Sequence, residues 1–311
     1  MTLHRITGIP PEWLGIALER FESQFSYPLG DAGSFRISHG RQYLPFFQAM
    51  GKALLLAVEA AGEVVGTLVV VERVLRYGER TLEEHRAHYL CDFKVSPAAR
   101  GGRVAAKLLD AAKGVIMASQ VHSCYGIVMD GTGRLPVDYT GRIGIPAFEK
   151  LGEIQVLRIT RSSLRISDPK PCQFSRPGTG GLTCVVTGGD SALRSIMPAY
   201  QIRLAGGAGV GLVEDTRRGK QLWMQTAGEL CSAHLSGFSY SSADAGAAVI
   251  REALTHAGEA SLAALFVAVP ARVGDDLREN LKDLSVQVSP ATVFGYGIAS
   301  GFDWWVDTSE I

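Results

Sequence analysis

The chain has 311 residues, 46% of them hydrophobic and 20% charged, with 31 lysines and arginines set against 31 aspartates and glutamates. That length predicts two domains, and the composition is that of a globular protein with a substantial core. Zero formal net charge excludes bulk electrostatic attraction to nucleic acid or to an anionic membrane and leaves only local basic sites to hold anions.

Taken in order, Pro10 and Pro11 precede "EWLGIALERFESQF", whose periodicity predicts a helix. "QYLPFFQAM" predicts a helix interrupted near Pro45. "ALLLAVEAAGEVVGTLVVVERVL" reads as two apolar strands joined by a tight turn at Ala61-Gly62, an antiparallel hairpin. "AHYLCDFKV" is a third strand, and "GGRVAAKLLDAAKGVIMA" a long helix burying Val104, Leu108, Leu109, Ala112 and Ile116. "CYGIVMD" predicts a strand, "IPAFEKLG" a short helix stopped by Gly152, and "IQVLRITRSSLRI" another strand.

"SDPKPCQFSRPGTGG", from Ser167 to Gly181, has the composition of an interdomain linker. It divides the chain into 1–166 and 182–311. Beyond it come the strand "LTCVV", a helix capped at Asp190 and bent or shortened by Pro198, and a hairpin of "GVGLVED" with "KQLWMQTA". The strand "ELCSAHLSGFSY", the helix "DAGAAVIREALTHAG", the strand "SLAALFVAVP" and the helix "DDLRENLKDL" follow. "ATVFGYGI" and "DWWVDTSEI" read as closing strands. Both halves thus read with one topology, as expected of a duplication.

Cys91, Cys124, Cys172, Cys184 and Cys231 are scattered and form no CxxC pair, which predicts reduced thiols, no metal site and a cytoplasmic protein. The N-terminus lacks a signal-peptide pattern, and the longest apolar tracts are too short to span a bilayer. No nucleic acid or membrane partner is expected, and a homodimer is left open.

The chemistry gathers at "VSPAARGGRVAAKLL", from Val95 to Leu109. A strand stops here, two glycines flanked by Arg100 and Arg103 follow, and a helix begins. The first amides of a helix lack internal partners and carry partial positive charge. Glycines there let a phosphate approach the backbone. The stretch reads as a diphosphate cradle. A Walker loop is excluded because no GK[ST] occurs, and the spaced glycines of a dinucleotide fingerprint are missing.

This segment resembles the V-x-P-x-x-R-G-x-G-x-G/A signature of the GNAT superfamily of acyl-coenzyme A transferases. Val95, Pro97, Arg100, Gly101, Gly102, Val104 and Ala105 stand in that register. Arg103 replaces the second glycine, either to contact a phosphate oxygen or to point into solvent. "AFEKLG", Ala147 to Gly152, is similar to the family's later helix. The resemblance implies an α/β (α+β) fold of two GNAT-like domains, each a mixed, largely antiparallel sheet flanked by helices. It implies acetyl-CoA or another acyl-CoA as co-substrate, with pantetheine held by the backbone near Phe93 and Val95 between splayed fourth and fifth strands. The acceptor implied is an amine on a small molecule or peptide.

Direct acyl transfer needs a base and an acid. Strand alternation puts Tyr89, Cys91 and Phe93 on one face and Asp92 on the other unless a bulge intervenes, which the family commonly has. Asp92 is then the candidate base; the alternative is a carboxylate bonded to a neighbouring loop. Cys91 is either a nucleophile or a structural thiol. The family's tyrosine acid falls on Phe148, so Tyr139, in the polar loop "MDGTGRLPVDYTGRIGIP", is the replacement candidate. Asp130 and Asp138 in that loop either hold a cationic substrate or cap turns. The second half has lost the cradle, with Ser241, Ser242 and Asp244 at the corresponding turn. A non-catalytic acyl-thioester sensor and an acyl-carrier-protein donor are the rival readings.

Overall fold

The computed structural model describes residues 1–28, 33–79, 81–131, 133–142, 144–161, 182–187, 189–224 and 228–311. The proposed linker from 167 to 180, with Cys172, and its last residue 181 lie outside these.

The first half runs β1 (Thr2–Ile6), α1 (Glu12–Glu22), β2 (Tyr27–Pro28), β3 (Ser34–Ser38), α2 (Pro45–Gln48), β4 (Lys52–Ala60), β5 (Glu63–Gly78) and β6 (Glu83–Val95). It continues with α3 (Val104–Ala118), β7 (Cys124–Met129), α4 (Pro136–Tyr139) and β8 (Glu149–Thr160). The second half runs β9 (Thr183–Thr187), α5 (Ser191–Arg194), β10 (Tyr200–Arg203), β11 (Gly209–Glu214), β12 (Gln221–Met224), β13 (Gly228–Glu229) and β14 (Ser232–Tyr240). Then come α6 (Ala243–Glu259), β15 (Ala264–Pro270), α7 (Ala271–Glu279), β16 (Ser285–Tyr296) and β17 (Asp303–Trp305).

Thirteen described strands share one sheet, whose spine is ordered β1-β4-β5-β6-β7-β16-β8-β15-β14-β11-β10. It is largely antiparallel; β6–β7 and β14–β15 are parallel pairs, each joined by a helical crossover, α3 or α6. Alternation on β4 and β5 separates two cores: Leu55, Ala57, Val69 and Val71 face α1, while Leu56, Val58, Leu68 and Val70 face α3. The long helices α1, α3 and α6 bury large side chains, such as Leu14, Leu18 and Phe21 of α1, each worth roughly 1.5–3 kcal/mol. Gly66 on β5 lets α3 close in, because a Cβ there would lie 2.5 Å from Val104 Cγ1.

At the centre the halves exchange strands. The last long strand of the second half, β16, lies between β7 and β8, and the last strand of the first half, β8, lies between β16 and β15. A smaller sheet, β13-β12-β3-β2, also joins the halves.

Four expectations are corrected. "EKLG" opens β8 rather than forming a helix, since Glu149–Thr160 pairs along β16. Gly152 stops nothing; a Cβ there would lie 2.5 Å from Trp304 Cδ1, so it admits the indole onto the strand. The β11–β12 hairpin does not form, because β12 pairs with β3 and β13. The helix capped at Asp190 is one turn long, and "DWWVDTSEI" is strand only over Asp303–Trp305, with a 3₁₀ turn at Thr308–Glu310.

Candidate active site

Opposite β5, β6 carries the expected bulge: Cys91 pairs with Val69 and Lys94 with Thr67, leaving Asp92 and Phe93 against Leu68 alone. Asp92 takes φ 53°, which is uncommon for a residue with a Cβ. The extra residue reverses the alternation. Asp92 and Lys94 join Tyr89 and Cys91 on the α1 face, while Phe93 and Val95 pack into the α3 core.

The other edge of β6 opens. It pairs with β7 only at His88–Cys124 and Tyr89–Tyr125, and β7 then continues along β16 as far as Met129–Ala291. Among the described residues no strand pairs with Leu90–Val95 on that side. This is the splay that pantetheine would need.

Beyond Val95 a 3₁₀ turn over Pro97–Ala99 leads to the glycines. Gly101 has φ +80°, and a Cβ there would meet nothing within 4 Å, so the corner is open. Gly102 N–H donates to Ala99 O at 3.3 Å. Among the described residues no carbonyl accepts from the amides of Gly101, Arg103, Val104 or Ala105, and Arg103 is the N-cap of α3. Arg100 and Arg103 are exposed, and among the described residues neither pairs with a carboxylate.

On the α1 face the bulge reaches a buried polar cluster. The Lys94 ammonium lies 2.5 Å from Asp92 Oδ1 and 3.6 Å from Glu22 Oε1. Glu22 accepts from the His39 amide at 2.8 Å and faces its Nδ1 at 2.6 Å. The hydroxyl of Tyr43 donates to Asp92 Oδ2, and Thr67 Oγ1 donates to the Asp92 carbonyl at 3.0 Å. Tyr43 itself is held at φ 59°, so both partners of this bond have left-handed backbones, the kind of strain that collects at functional sites. Burial alone would raise the Asp92 carboxyl, but Lys94 and its other partners hold it below the usual carboxylate range. Ligand atoms of Glu22, His39 and Asp92 lie within 4.8 Å of one another, a metal-like spacing. The Lys94 ammonium already supplies the cation between the two carboxylates.

Lys220 reaches the same region from the second half. It donates to Ile311 O at 2.5 Å and lies 4.5 Å from the centre of the Phe46 ring. Burial, with Arg194 and Lys94 adding to it, pushes its amine down to about 7.

The remaining predicted residues fall into place one by one. Burial, then the charge of Asp92, pushes the Cys91 thiol well up, which fits the structural reading. Tyr89 is buried and stacks on Tyr125 at 4.9 Å, forming the vertex of the splay. Tyr139 packs against Phe93, ring centres 5.6 Å apart, and burial pushes its hydroxyl up to about 12. Asp138 accepts from the Leu135 amide at 2.9 Å and caps α4. Asp130 is exposed and accepts from Thr292 at 3.2 Å. The structure therefore groups Asp92, Phe93, Val95 and Tyr139 around β6 and gives Asp130 and Asp138 local bonds. In the second half, the cap of α6 is Ser242, whose Oγ accepts from Ala245, with Asp244 in the first turn.

Glu22, His39, Tyr43, Lys94 and Lys220 were not singled out from sequence. Lys94 left a trace, a lysine inside an apolar strand two places after Asp92. The others come from segments whose approach to β6 no local pattern encodes.

No protein-family model matches the sequence, and no curated protein is significantly similar to it. The fold does match solved structures. A Saccharomyces cerevisiae N-myristoyltransferase with bound myristoyl-CoA superposes with a TM-score of 0.63 at 9% identity, over 97% of this chain and 80% of that one. A second structure of it with myristoyl-CoA gives 0.61 at 9% identity, over 96% and 84%. At that identity the likeness is one of fold: the chain shares the N-myristoyltransferase architecture over nearly its whole length.

Proposed function

We propose that this protein is an acyl-CoA-dependent N-acyltransferase that moves an acyl group, with acetyl expected, from a coenzyme A thioester to an amine of a small molecule or peptide. One observation carries this reading: the amides and arginines at the front of α3, free of partners among the described residues, run directly into the edge of β6 that no described strand pairs, at the Asp92 bulge. Arg100, Gly101, Gly102, Arg103, Val104 and Ala105 would hold the diphosphate, and the backbone of Phe93 and Val95 the pantetheine arm. N-myristoyltransferase, which shares the fold, was solved with myristoyl-CoA bound. No helix among the described residues is long and apolar enough to cross a membrane.

In the proposed reaction the amine nitrogen attacks the thioester carbonyl, the C–N bond forms, and the C–S bond breaks as the tetrahedral intermediate collapses. The ammonium gives up one proton before attack and a second, to solvent, as the intermediate collapses to the amide, while the departing thiolate gains one. Asp92, an anion at neutral pH, takes the first through a water molecule. Tyr139, kept protonated by burial, supplies the one the thiolate gains and is then reprotonated from solvent. On this reading residues 1–166 carry the site, 167–181 link the halves, and 182–311 form a copy without a cradle.

The test is release of free coenzyme A thiol from acetyl-CoA over a broad amine panel. Turnover that Arg100→Glu abolishes supports the reading. Binding of acetyl-CoA without turnover on any amine favours the sensor, which the engagement of Asp92 with Lys94 and Tyr43 also suits. Turnover only with a carrier-protein thioester assigns that donor instead.

A further inference from the structure

We infer that the donor site, on the functional reading above, accepts only short acyl groups, and that the stacked pair Tyr89–Tyr125 sets the limit. A thioester whose diphosphate sits before α3 and whose pantetheine follows Val95 and Phe93 brings its carbonyl to the Asp92 bulge. Its acyl group then points along β6 toward the vertex, where the strands close. The closure is tight: a Cβ on Gly126 would lie 3.0 Å from Leu90 O. Immediately behind it the rings of Tyr89 and Tyr125 stack at 4.9 Å with a 15° interplanar angle. Trp304 braces Tyr125 at 5.4 Å and is itself fully buried. From Cys91 to Tyr89 is two residues, about 7 Å of strand, room for an acetyl to butyryl group.

The sideways exits are filled as well. On the α1 face stand Tyr43, fully buried, and the Asp92–Lys94 pair; on the α3 face Phe93 packs against Tyr139. An acyl chain longer than the gap has to displace packed aromatic rings, which close-packed interiors resist. The shared fold thus does not carry over the chain length of myristoyl-CoA, the ligand of the yeast structures.

The experiment is calorimetric titration of the whole chain with CoA, acetyl-, butyryl-, octanoyl- and myristoyl-CoA. A pocket that took up the chain would tighten binding about fourfold per methylene. The expected profile runs the other way, with octanoyl-CoA bound at least tenfold more weakly than acetyl-CoA. Tyr125→Ala, which opens the floor, brings octanoyl-CoA to within about threefold of acetyl-CoA, on the same transfer coefficient. Should that variant not fold, the profile of the unaltered protein decides alone. Affinity that rises from acetyl to myristoyl overturns the length limit and leaves the functional reading standing. Absence of binding by every thioester and by CoA overturns the functional reading, and the limit with it.

Discussion

Lys94 holds the charge against which two buried carboxylates, Asp92 and Glu22, are balanced. Removing one partner of a buried ion pair leaves the other uncompensated, so Lys94→Met is expected to cost about 3–5 kcal/mol in chemical denaturation. Tyr43→Phe, which removes one hydrogen bond from Asp92, is expected to cost about 1–3 kcal/mol. At the cradle, Arg100 has no structural partner among the described residues, so Arg100→Glu leaves the melting temperature unchanged while weakening CoA binding at least tenfold, the loss of a charged hydrogen bond of about 1.5–3 kcal/mol. Asp307 provides a pH signature. Burial, with Glu310 nearby, pushes its carboxyl up to about 7. The folded state therefore holds a proton that the unfolded state has released. Stability from this group is full below the unfolded pKa of about 3.9 and is lost as pH rises through the folded value near 7. Asp307→Asn should flatten that arm of the stability–pH curve, as measured by urea denaturation across the same range; an unchanged slope would assign it to another group.

The elements show what local pattern encodes and what it leaves out. The buried face of α3 was legible residue by residue, because Val104, Leu108, Leu109, Ala112 and Ile116 repeat at helical spacing. The β4–β5 turn was legible too, with Ala61 and Gly62 at φ 55° and 84°. The Asp92 bulge was anticipated through family resemblance; alternation alone would have sent Asp92 to the wrong face. β8 was misread at its start because Glu-Lys-Leu favours a helix, and the pairing that overrides it comes from β16, over a hundred residues later. The same distance hid β12, whose partner β3 lies in the other half. Packing of α3 on β5 yields its own prediction. Gly66→Val would force α3 outward, and overpacking of this kind costs about 1–3 kcal/mol. Because the front of α3 moves with it, CoA affinity should fall together with stability, whereas Gly114→Ala, where a Cβ meets nothing, should leave CoA affinity unchanged and raise stability by about 0.5–1 kcal/mol.

Across the whole molecule the order β7-β16-β8-β15 sets β16 of the second half beside β7 of the first, and β8 of the first half between β16 and β15 of the second. A buried ionic chain reinforces the junction: Arg73 and Arg194 both pair with Glu310, at 2.6 and 3.0 Å, and Arg194 also pairs with Glu214 at 2.7 Å. Neither half completes its sheet alone. Residues 1–166 expressed by themselves are therefore expected to lack a cooperative melting transition, while the full chain unfolds in one; two separate transitions in calorimetry would show independent halves. The halves also meet where Lys220 approaches the Asp92–Lys94 cluster. All of this gains functional meaning only if the turn before α3 holds the cofactor. A crystal structure with coenzyme A tests that directly. Diphosphate oxygens are expected within hydrogen-bonding distance of the amides of Gly101, Arg103, Val104 and Ala105; a diphosphate bound elsewhere, with that turn empty, would show that the turn is not the cofactor site.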